Sequence, residues 1–161
     1  VGGGIRSVGK VEKLLDFGVD DVIIGTTAFK SPDVFEGILE SVGGGNVFVA
    51  LDAKGGKVVV EGWKESTERG VLETAKELED KGVGGFLFTN VDVEGRLEGL
   101  DAKMVENLVQ TVDIPVFAAG GVKSIKDIKK AKKAGASGVI VGTAIYEEKL
   151  SLKEALEVVK K

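Results

Sequence analysis

Short runs of β-branched and aromatic residues recur along the chain. Between them, apolar positions return every three or four residues. The runs Val22–Ile24, Val47–Leu51, Phe86–Thr89, Val116–Ala118 and Val139–Val141 predict strands. They are continuously apolar, the pattern of strands covered on both faces. The intervening stretches predict helices, and several carry start signals. Ser31-Pro32 puts an acceptor at the N-cap and proline at the first helical position. Ser124 and Asp101 read as further N-caps, and Ser151 with Glu154 as a capping box. Gly18, Gly82 and Gly135 fall where helices should close on a left-handed residue. Strand and helix alternate, which argues for a parallel sheet with covering helices.

The chain also repeats itself. Gly3-Gly4-Ile5-Arg6-Ser7 returns as Gly120-Gly121-Val122-Lys123-Ser124, and Val22-Ile23-Ile24-Gly25-Thr26 as Val139-Ile140-Val141-Gly142-Thr143. The offset is constant at 117 residues, so residues 3–29 and 120–146 read as an internal duplication. Four strand–helix units fit in that interval. Two such halves would give about 234 residues, an ordinary length for an eight-unit barrel. The chain has 161 residues and opens on Gly2-Gly3-Gly4, which reads as the end of a strand. The expected fold is therefore α/β, a truncated (β/α)8 TIM barrel running from the end of strand 3 through helix 8. Residues 1–161 would form one partial domain. Such an arc leaves open edges and an uncovered apolar interior, so the chain is expected to self-associate or to pair with a complementary N-terminal barrel segment.

Composition narrows the chemistry. With 22 basic and 26 acidic residues the net charge is −4, and there is no His and no Cys. Disulfides, Cys/His zinc sites and imidazole general bases are excluded. A mildly acidic domain is a poor nucleic-acid binder. No apolar stretch reaches the length of a membrane span. The lack of Cys suits a cytoplasmic setting. Asp92, Glu94 and Glu98 lack a recognised ligand spacing, so no metal is expected.

In a (β/α) barrel, function gathers at the C-terminal ends of the strands. Four glycine-rich ends stand out there: Gly2-Gly3-Gly4, Gly25-Thr26-Thr27, Gly120-Gly121 and Gly142-Thr143-Ala144. Glycine lets backbone N–H groups approach a phosphate. The four ends predict two cups, one built from Gly3, Gly4, Gly25 and Thr26 and one from Gly120, Gly121, Gly142 and Thr143. Half a barrel turn separates them, which implies a long small-molecule substrate with a phosphate at each end. Arg6 and Lys123 follow the glycine pairs, as phosphate partners or as solvated cations. Asp52 ends an apolar run, as a catalytic carboxylate or as an N-cap, and Thr89 ends the next run beside it. Trp63, the only Trp, is either a stacking surface for a flat substrate ring or a loop anchor. Asn90–Gly99 is a long polar loop able to act as a lid.

Gly2-Gly3-Gly4-Ile5-Arg6-Ser7, Ala50-Leu51-Asp52-Ala53-Lys54-Gly55-Gly56, Glu61-Gly62-Trp63-Lys64-Glu65-Ser66, Phe88-Thr89-Asn90-Val91-Asp92-Val93-Glu94-Gly95 and Ala119-Gly120-Gly121-Val122 together resemble one family. It is the phosphoribosylformimino-5-aminoimidazole carboxamide ribotide isomerase of histidine biosynthesis, and the wording of the Asn90 loop is similar to its archaeal members. The resemblance implies an Amadori rearrangement of an aminoaldose to an aminoketose, without metal or organic cofactor. It implies that a base on the first strand takes the C2 proton. Asp52 would protonate the ring oxygen, and Thr89 would hydrogen-bond to Asp52. The family's first-strand Asp has no counterpart in this sequence, so the chain alone is expected to be inactive. Rival readings are the sister imidazole glycerol phosphate synthase cyclase subunit, a dual isomerase that also acts on phosphoribosylanthranilate, and a non-catalytic phosphate-binding fragment.

Overall fold

A computed structural model describes residues 1–160. The strands are β1 (Val22–Ile24), β2 (Val47–Lys54), β3 (Lys57–Val60), β4 (Glu65–Gly70), β5 (Gly85–Asn90), β6 (Val116–Ala119) and β7 (Gly138–Val139). The helices are α1 (Val8–Asp16), α2 (Thr26–Lys30), α3 (Pro32–Val42), α4 (Val71–Asp80), α5 (Ala102–Thr111), α6 (Ile125–Lys133), α7 (Thr143–Tyr146) and α8 (Leu152–Val159). β1, β2, β5, β6 and β7 pair in that order, every pair parallel. Each crossover carries a helix and moves one place in the same direction. That is the winding of a (β/α)8 barrel; a doubly wound sheet would reverse direction midway. β3 and β4 form an antiparallel extension from the end of β2.

The strands are covered on one face only. Val22, Ile24, Val47, Val49, Leu51, Phe86, Phe88, Val116 and Ala118 are fully buried in one core with Val11, Phe35, Ile38, Ala75 and Leu108 of the helices. Ile23, Phe48, Leu87 and Phe117 alternate with them along the strands. With Ile140 they line a cavity of about 430 Å³ on the concave face. Continuous apolarity predicts strands buried on both faces, and here it marks a strand with helices on one side and an open hollow on the other. Side chains alternate across a strand, so β2 alternates between buried and half-buried along its length.

Several boundaries differ from the sequence expectation. β2 continues through Asp52 to Lys54, because Ala53 and Lys54 pair with Val58 and Lys57 across the Gly55-Gly56 turn. β7 stops at Val139, an edge strand with β6 as its one neighbour, though the Ile140 amide still donates to Ala118. Asp101 caps α5 by accepting from the Met104 amide at 3.1 Å. Ser31, Ser124 and Ser151 make no side-chain cap bond, so the Ser151–Glu154 box is not formed. Gly18, Gly82 and Gly135 do follow their helices in left-handed conformation. No helix among the described residues is long and apolar enough to cross a membrane.

Candidate active site

The candidate site residues fall at the C-terminal ends of the parallel strands or on the segments that follow them, Trp63 on the β3–β4 turn beyond β2. Across the sheet the order is first cup, Asp52 on β2, Thr89 on β5, second cup. The chain just before the first cup joins the sheet through a parallel bridge between Gly2 and Ile23. Gly3, Gly4, Arg6, Gly25, Thr26 and Asp52 line a cavity of about 270 Å³. On the far side, Gly120, Gly121, Gly142 and Thr143 line one of about 70 Å³, with Glu94 in its wall.

The two cups have nearly the same backbone. Gly3 and Gly120 have φ of 100° and 93°, and Gly4 and Gly121 have 62° and 72°. Ser7 and Ser124 precede their helices at φ −157° and −155°. Gly25 and Gly142 take the paired values φ −100°, ψ −107° and φ −109°, ψ −99°. Two successive left-handed residues are open to glycine and costly for anything with a Cβ.

Asp52 is half-buried, and its Oδ2 accepts a hydrogen bond from Trp63 Nε1 at 2.9 Å. Asp52 and Thr89 are register partners on adjacent strands. Thr89 is buried, yet among the described residues no hydrogen bond joins its hydroxyl to Asp52. The indole takes that place. Trp63 is 44 % exposed and ends three consecutive left-handed residues, Glu61, Gly62 and Trp63, at φ 55°, 63° and 70°. Two of the three have side chains, so this turn is strained. It is tied down on the first-cup side. The Glu61 amide donates to Thr26 Oγ1 at 3.0 Å, and Lys30 meets Glu65 at 2.6 Å and Glu61 at 3.9 Å. The hydrogen bond to Glu65, with the charges of Glu65 and Glu61, raises the Lys30 pKa above its ordinary value.

The Asn90–Gly99 segment runs from the end of β5 over the second cup. Asp92 Oδ2 accepts from the Gly55 amide at 2.8 Å, and the Gly99 amide donates to the Gly121 carbonyl at 3.0 Å. Lys123 Nζ donates to the Glu98 carbonyl at 3.3 Å, which draws it to this segment. Arg6 lines its cup, so the two matching cations are placed differently. Sequence reasoning missed the Trp63–Asp52 bond, because nothing local joins a strand to a turn eleven residues on. It also missed Lys10 and Asp127, whose signal was available in the repeat: one position of the 117-residue offset, occupied by residues of opposite charge.

A family model described as "Histidine biosynthesis protein" matches residues 1–151. The chain belongs to this family. Three curated relatives are each named 1-(5-phosphoribosyl)-5-((5-phosphoribosylamino)methylideneamino)imidazole-4-carboxamide isomerase. The one from Natronomonas pharaonis is 50% identical over 159 residues, covering 99% of this chain and 66% of the relative. The one from Methanothermococcus thermolithotrophicus is 48% identical over 157 residues, 98% of this chain and 66% of the relative. The one from Methanococcus voltae is 47% identical over 159 residues, 99% and 66%. The chain thus spans about two thirds of the length of the curated relatives it matches.

Proposed function

We propose that this chain supplies the phosphate cups and the general acid of a histidine-biosynthesis isomerase. The reaction converts an aminoaldose to an aminoketose on a ribotide with a phosphate at each end. The supporting observation is the order of groups along one sheet edge. A carboxyl on β2 and a hydroxyl on β5 stand between two glycine turns of equal backbone geometry. Successive left-handed turns present backbone N–H groups to an anion. A bisphosphate bridging the cups lies across Asp52.

In this reading Asp52 delivers a proton to the ring oxygen as the ribose opens, and a separate base takes the proton from C2. Trp63 donates to Oδ2 and leaves Oδ1 for the substrate. The indole therefore fixes the carboxyl's orientation, the role that the family resemblance gives to Thr89. Thr89, the register partner of Asp52 on β5, takes over when Trp63 turns onto a substrate ring. The base is assigned to no residue of this chain. The isomerase reading is preferred to the cyclase because the relatives carry the isomerase's name. Phosphorylated ribotides do not cross membranes unaided, which supports a cytoplasmic setting.

The test is Asp52→Asn in a protein of the relatives' full length that carries this sequence. The variant keeps its shape but cannot donate the same proton. Turnover should fall about 10²–10⁴-fold, the range of acid–base groups, with KM little changed. Near-unmodified turnover would overturn the assignment.

The apolar concave cavity, and Leu152, Leu156 and Val159 exposed on α8, favour a partner that completes the barrel. A complementary (β/α) segment or a second copy fits that role. Co-expression with the remaining third of a relative should give one soluble complex on size-exclusion chromatography. A chain that stays monomeric beside that segment would count against it.

A further inference from the structure

The two cups share a backbone but are braced by different chemistry. The Gly4 carbonyl accepts from Lys10 Nζ at 3.1 Å. The matching Gly121 carbonyl accepts instead from the Gly99 amide at 3.0 Å. Lys10 lies in the first turns of α1, and the residue at the same place in α6 is Asp127. Asp127 is 2 % exposed and accepts from the Lys123 amide at 3.3 Å and from Ser124 Oγ at 2.9 Å. One repeat thus puts an exposed cation behind its glycine turn, and the other a buried anion.

We propose that Lys10 is the positioning residue of the first cup and makes it the charge-dependent one of the two. The inference rests on the phosphate reading above. Its ammonium holds the Gly4 carbonyl oxygen, which would otherwise be free to turn on a bound anion. That bond fixes the plane of the Gly4–Ile5 peptide, and both residues line the cavity. An ammonium carries three donors, and the Gly4 carbonyl uses one. Lys10 Nζ also stands 3.8 Å from where a Cβ on Gly4 would lie, so its charge is at the glycine turn itself. With Arg6 in the cavity wall, the first cup has two cations at hand. Among the described residues the second has Glu94 and no cation in its wall; Asp127 behind it has Lys130 Nζ at 3.8 Å, and Lys123 lies on the Asn90–Gly99 segment through the Glu98 carbonyl. Anion binding there falls mainly to backbone amides.

The experiment titrates inorganic phosphate into the isotopically labelled chain and follows two sets of amides. Gly3, Gly4 and Gly25 report the first cup; Gly120, Gly121 and Gly142 report the second. Lys10→Met should weaken first-cup binding by about tenfold, the loss of one charge-assisted contact. It should also flatten that cup's dependence on sodium chloride, since an exposed charge is screened by salt. The second cup should be unmoved, and Lys10→Arg should restore most of the affinity. Unchanged first-cup affinity in Lys10→Met, equal weakening of both cups, or no rescue by Arg would each overturn the role of Lys10. Phosphate bound by neither cup of the unaltered chain would overturn the cup reading and this inference together.

Discussion

The first cup is open and the second is packed, although their glycines take nearly the same φ. A Cβ added to Gly3 would meet nothing within 4 Å, and one on Gly4 only the tip of Lys10. A Cβ on Gly120 would lie 2.7 Å from the Asn90 carbonyl oxygen, and one on Gly121 only 2.3 Å from that of Gly99. Gly3 and Gly4 are exposed, whereas Gly120 and Gly121 are buried. The difference comes from the neighbour. The Asn90–Gly99 segment closes on the second cup, and no such segment covers Gly3 and Gly4 among the described residues. Glycine is thus needed twice for its backbone conformation, but only in the second cup for its lack of volume.

Substitution separates those two needs. Gly121→Ala combines a left-handed alanine with a clash against backbone, a loss of about 3 kcal/mol. Gly4→Ala carries the conformational cost alone, about 1 kcal/mol. Urea unfolding midpoints of the two variants measure the gap. Equal losses would mean that the second cup relaxes freely and that the comparison is wrong.

A smaller effect is expected behind the cups. Asp127→Ala leaves the part-buried bonds from the Lys123 amide and the Ser124 hydroxyl without their acceptor, a loss of about 2 kcal/mol. Lys10→Met removes an exposed bond and should change stability by less than about 0.5 kcal/mol. The same unfolding series tests this. A destabilised Lys10→Met variant would recast Lys10 as a structural brace. The Lys10 prediction would then need the salt dependence of phosphate binding to stand.

How much of this was legible depends on the range of the interaction. The run Val47–Leu51 foretold β2 because a continuous apolar run is a local signal, but its extension to Lys54 required the hairpin partner at Lys57 and Val58. Asp101 capped its helix as read, since a cap is a contact three residues away. Ser151 and Glu154 had the right letters and formed no box. Asp52 and Thr89 were placed side by side correctly, as consecutive strands of a singly wound sheet must be. The bond between them was not found, because the Trp63 turn delivers a competing donor.

By itself, the sequence determined the succession of strands and helices, the left-handed glycines that shape both cups, and the position of Asp52 between them. These follow from hydrophobic period and from backbone sterics, which act within a few residues. Only the tertiary structure decided which face of the sheet is covered, which cup is closed, and that an indole holds the Asp52 carboxyl. Those outcomes depend on which distant segments meet, and identical backbone turns in the two repeats meet different ones.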